Sequence, residues 1–142
     1  MKATIFYDGA RVNRALFEAI NDDCARVNIQ SPIVVLKARK NAIELEGERI
    51  AMRQDAVALT RFFKWLEEEA FANGQTQTEW TLMEKLHEYR LMGENFVEES
   101  FGTIAGYLGN GAIVHYSATA DNCAVVKQEG MLLLDSGGQY LD

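Results

Sequence analysis

The chain has 142 residues, 48% hydrophobic and 25% charged, an ordinary globular balance with room for a core. Its formal net charge of -7 argues against a nucleic-acid binder, which needs a Lys/Arg surface, and it disfavours anionic membranes. Cys24 and Cys123 lie far apart and match no zinc spacing or disulfide framework, which points to a reducing, cytoplasmic setting. The amino terminus shows no signal-peptide pattern, and no apolar run approaches the roughly 20 residues needed to span a bilayer.

Ala3 to Tyr7 reads as a short buried strand, and Asp8-Gly9 as a turn. Apolar spacing from Ala10 to Ile20 predicts a helix, and Val27 to Ile29 a second strand. Ser31-Pro32 then reads as a joint, because proline disfavours helix in the residue before it. Asn41 and Glu44 have capping-box spacing ahead of a long helix. Its apolar stripe runs through Met52, Ala56, Leu59, Phe63, Leu66 and Ala70, widened by Phe62 and Trp65, and Gly74 ends it. A second amphipathic helix is predicted from Glu79 to Met92, with Leu82, Leu86 and Tyr89 on one side and Gly93 as the stop.

Beyond Gly93, glycines punctuate short apolar runs. Ala112 to Tyr116 and Met131 to Leu134 read as strands, with another starting at Gln139. Two helices followed by strands predict an α+β fold, with two amphipathic helices against a small, mostly antiparallel sheet.

Two residues stand out chemically. Asp135 follows four apolar residues and precedes Ser136-Gly137-Gly138. A carboxylate ending a buried strand needs compensation, and a hard cation would supply it. Taken alone, a plain strand-then-turn is the favoured account. His115 sits between Val114 and Tyr116. It could bind a metal, move a proton or hydrogen-bond a substrate. Alone, it is more simply a half-buried histidine bonded to a neighbouring carbonyl. Asp135 and Asp142 are seven apart and would face opposite sides of one regular strand.

Together, Asn110-Gly-Ala-Ile-Val-His-Tyr-Ser-Ala-Thr119 and Leu132-Leu-Leu-Asp-Ser-Gly-Gly-Gln-Tyr-Leu-Asp142 resemble the Xaa-Pro aminopeptidase (aminopeptidase P) family of creatinase-like, pita-bread metallopeptidases. The segments LKARKNAIELEGERIAMRQDAVALTRFFKWLEEE, TEWTLMEKLHEYR and FGTIAGY resemble that family's two opening helices and its approach to the histidine. The resemblance implies that residues 31–142 are the first half of a pita-bread catalytic domain, and residues 1–30 the tail of a preceding non-catalytic domain. It implies release of the amino-terminal residue from peptides with proline second, at a dinuclear site usually holding two Mn²⁺. Asp135 would be its first ligand, and His115 would hydrogen-bond on the substrate side.

In the family the motif continues to a Gly-Thr-Thr-Asp sequence that supplies the second ligand, with one histidine and two glutamates later. Here the chain reaches only Asp142, which matches a non-ligand aspartate. By itself it is expected to be inactive, to hold no stable metal and to self-associate through the exposed face of a half-fold. A non-catalytic pita-bread binding module and a prolidase or creatinase relative are the alternatives.

Overall fold

In the computed structural model, which describes residues 3–141, β1 (Thr4–Tyr7) pairs in parallel with β2 (Ala25–Asn28). Between them lies α1 (Arg14–Glu18), shorter than the apolar spacing predicts. The chain first turns on the Asp8 carbonyl, which accepts from the Arg11 and Val12 amides. Asn13 then caps the helix, its Oδ1 accepting from the Leu16 amide at 2.9 Å. Pro32 starts an element where a joint is expected. It occupies the first turn of α2 (Pro32–Ala38), where a missing N–H costs nothing and a fixed φ suits the helix. These elements belong to one compact unit, residues 1–43; residues 44–142 form a second.

The second unit is built on α3 (Ala42–Glu68) and α4 (Glu79–Leu91). Asn41 Oδ1 accepts from the Ile43 amide at the start of α3. The inward face of α3 keeps Leu59, Phe62, Trp65 and Leu66 of the predicted stripe but not Met52, Ala56 or Phe63. Ala58 and Phe62 are buried, Leu59 and Leu66 pack against the core, and Met52 and Phe63 are 65% and 44% exposed. The true face runs through Asp55, Ala58, Leu59, Phe62 and Leu66, so a carboxylate interrupts its apolar pattern. By contrast α4 matches its predicted bounds. Thr78 and Thr81 cap it reciprocally, each hydroxyl accepting from the other's amide at 3.2 and 2.8 Å.

Short strands complete the unit. β3 (Gln77–Thr78) pairs with β6 (Val125–Val126), β4 (Phe96–Glu99) with β8 (Gly138–Tyr140), and β5 (Ile104–Tyr107) with β7 (Leu132–Asp135), all antiparallel. Ala105 and Tyr107 of β5, with Val126, meet Phe62, Leu82 and Leu86 in the core, and Leu132 and Leu134 of β7 pack against it. The expected strand over Ala112–Tyr116 does not form. A 3-10 helix (Leu108–Ala112) follows β5, and the Tyr116 amide then closes a turn on the Ile113 carbonyl at 3.1 Å. The Ile113 and Tyr116 amides thus bond to nearby carbonyls, of Asn110 and Ile113, and not to a neighbouring strand. Gly106 permits this reversal, since a Cβ would lie 2.8 Å from the Gly111 Cα. Among the described residues no helix is long and apolar enough to cross a membrane.

Candidate functional site

Strand β7 ends at Asp135, opposite Ile104 of β5. Leu132 and Leu134 turn toward the core, whereas Leu133 and Asp135 alternate outward. The carboxylate is therefore exposed, and the expected burial cost does not arise. His115 is also exposed, inside the Ile113–Tyr116 turn, beyond the 3-10 helix. Neither side chain has a hydrogen-bond partner among the described residues. Asp142 lies outside the described residues. Among those described, no three His, Cys, Asp or Glu side chains converge on a metal-sized site. Asp135 is thus a single carboxylate donor, and a dinuclear centre needs several ligands per ion. The present residues do not fit that group, and no chemical step through it follows from them.

Two buried charges on α4 support these exposed residues. Arg90 is fully buried. Its Nε donates to Asp55 Oδ1 at 2.8 Å, its Nη1 donates to Glu99, and its Nη2 donates to Ser136 Oγ at 3.0 Å. The tyrosine of β8, Tyr140, donates its hydroxyl to the same Asp55 oxygen at 3.0 Å. His87 Nδ1 lies 3.0 Å from Glu99 Oε1. Burial works against the Arg90 charge, but Asp55 and Glu99 outweigh it and raise its pKa. One guanidinium thereby ties α3, α4 and β4 to the residue that follows Asp135.

At the other end of α4, Glu79 is also fully buried. Its carboxylate accepts from the Tyr107 amide at 2.6 Å, the Ala124 amide at 2.7 Å, the Tyr116 hydroxyl at 2.6 Å and Asn110 Nδ2 at 3.0 Å. Burial pushes this carboxyl up. Bonds from Tyr116, Ala124, Tyr107 and Asn110 overcome that and leave it below its ordinary 4.5. Neither Glu79 nor Arg90 stands out as a site in the sequence, because charged helix residues are usually solvated. A signal was available: Glu79, Leu82, Leu86 and Arg90 share one helix face, with charges at both ends of an apolar stripe.

These shifts set a stability window. An unfolded chain takes up a proton on Glu79 near 4.5, while the folded chain resists it. That stabilisation is present above 4.5 and lost as pH falls through the lower folded value. Tyr116 and Tyr140 act oppositely. Burial, then bonds to Glu79 and Asp55, push both up to about 12. Their stabilisation is present below the ordinary 10.0 and lost as pH rises toward about 12. Thermal midpoints followed by circular dichroism should fall on both flanks. Tyr116→Phe should reduce the alkaline loss; an unchanged alkaline limb would contradict the assignment.

Comparison with known proteins places this arrangement. The pattern of metallopeptidase family M24 matches residues 46–142. A probable Xaa-Pro aminopeptidase P of Paracoccidioides lutzii is 38% identical over 96% of this chain and 22% of its own length. That of Laccaria bicolor is 42% identical over 94% of this chain and 21% of its own. The chain thus spans about a fifth of these relatives. A solved X-prolyl aminopeptidase from Caenorhabditis elegans, described as cytosolic with a di-nuclear active site, superposes with a TM-score of 0.75. It is 30% identical, and the match covers 85% of this chain and 20% of that one. An X-Pro aminopeptidase from Thermotoga maritima, at 20% identity and TM-score 0.66 over 97% of this chain and 36% of its own, shares the fold. The paired helices and small antiparallel sheets are accordingly part of a pita-bread fold, and the chain belongs to metallopeptidase family M24.

Proposed function

We propose that this chain is part of an Xaa-Pro aminopeptidase that releases the amino-terminal residue from peptides with proline second. The observation that carries the reading is 38% identity to a probable Xaa-Pro aminopeptidase P across 96% of the chain. Within it, Asp135 is assigned as one carboxylate ligand of a dinuclear Mn²⁺ site, and His115 as a hydrogen-bonding group on the substrate side. Their exposure supports both roles, since each side chain is free to meet a ligand. Residues 1–30 are assigned to the tail of a preceding non-catalytic domain, and the setting to the cytoplasm.

The test compares the 142-residue chain with the longest product of the same reading frame. With Mn²⁺ and a peptide carrying proline second, the 142-residue chain is expected to show no turnover. The longer product should cleave, and Asp135→Ala should abolish cleavage. Asp135-dependent turnover by the short chain would overturn the reading of its site as incomplete. A longer product that binds peptide without cleaving it would leave a non-catalytic binding module.

A further inference from the structure

We propose that Glu79 is the positioning residue of the His115 loop, holding the segment from Tyr107 to Ala124 at both ends and at two interior points. The geometry is that of a single anchor. Tyr107 opens the segment and Ala124 closes it, and both backbone amides donate to this one carboxylate, at 2.6 and 2.7 Å. The Glu79 amide also donates to the Ala124 carbonyl at 3.1 Å. Inside the segment, Asn110 ends the approach to the histidine turn, and Tyr116 immediately follows His115. Both side chains donate to Glu79, and Asn110 Nδ2 also donates to the Tyr116 hydroxyl at 3.1 Å. His115 is thus confined between two anchor points on one fully buried group.

The loop carries strain that such an anchor must hold. Leu108 has φ of +49°, an uncommon region for a residue with a Cβ. Strained backbone persists only where surrounding contacts over-determine it. Glu79 also begins α4, where the helix N-terminus favours a negative charge and fixes the carboxylate on a rigid element. Glutamine is the informative replacement. It preserves the shape but removes the charge, and its NH2 replaces one of the two accepting oxygens, turning a donor toward at least two of the four existing donors.

The inference draws its functional importance from the proposed role of His115, but its test does not depend on that role. Backbone ¹⁵N relaxation is measured on the 142-residue chain and on Glu79→Gln. The expected result is a fall in the His115 order parameter from the rigid range, about 0.85, to below about 0.6. His87, on the far part of α4, should stay rigid as the internal control. A His115 amide as ordered as in the parent would overturn the proposal. If Glu79→Gln does not fold, so that His87 loses order too, Tyr116→Phe and Asn110→Ala decide. Each removes one interior donor and keeps the bonds to Tyr107 and Ala124. Selective loosening at His115 in either supports the anchor, and unchanged order in both overturns it. A His115→Ala assay in the longer enzyme tests the histidine's role separately from loop order.

Discussion

Replacing Arg90 with methionine should destabilise the 44–142 unit by about 3 kcal/mol, the low end of the range for breaking a buried ion pair. Methionine retains much of the apolar stem, so lost packing contributes little. The cost comes from the carboxylates left behind. Asp55 and Glu99 are 16% and 21% exposed, and each would lose its cation without regaining full hydration. That residual exposure is why the low end applies. Asp55→Asn added to Arg90→Met removes one stranded charge and should recover part of the loss. Trp65 and Trp80 both lie in this unit and none lies in residues 1–43, so urea unfolding followed by tryptophan fluorescence reports on it directly. A loss below about 1 kcal/mol, the ordinary range for exposed pairs, would show that water screens this network after all.

Phe62→Ala should cost about 3–5 kcal/mol, the usual range for deleting a buried phenylalanine ring. Phe62 has no solvent exposure and joins α3 to Leu82 and Leu86 of α4 and to β5. The surrounding elements come from both helices and a strand, so they cannot easily collapse into the cavity. The adjacent Phe63→Ala should cost about 1 kcal/mol or less, because its ring is 44% exposed. The two rings lie 5.4 Å apart and differ in one step of sequence, so the comparison isolates burial from residue type. Equal losses at both positions would refute the burial of Phe62 over Phe63 on α3. A loss of 3–5 kcal/mol is a large share of the ~5–15 kcal/mol that holds a domain together.

The contrast between those neighbours shows what was legible beforehand. The bounds of α4 could be read because Gly93 offers a stop, and Leu82, Leu86 and Tyr89 a clean spacing. The face of α3 was legible only in part: Leu59, Phe62 and Leu66 were read, but Asp55 points inward where the pattern calls for an apolar residue. Its partner, Arg90, comes from a different helix. β3 to β6 are two to four residues long, too short for alternation to register. The 3-10 helix through Asn110-Gly111 leads into a turn over Ile113–Tyr116, so His115 sits in a turn and not a strand. Resemblance is what singles out His115 and Asp135 as candidates, through local motifs. It did not reveal Glu79 or Arg90, which act through partners far along the chain.

The placement of Glu79 and Arg90 on one helix also constrains length. They are eleven residues apart, about three turns and roughly 16 Å along the axis, so both project from nearly the same side. One clasps the loop bearing His115, and the other clasps Ser136, beside Asp135. The helix between them therefore serves as a ruler whose graduation is the residue itself. Deleting a single residue between Leu82 and Leu86 would swing one clasp about 100° relative to the other. No choice of side chain could restore both grips. This stretch should tolerate substitution on its outer face far better than any change in its number of residues.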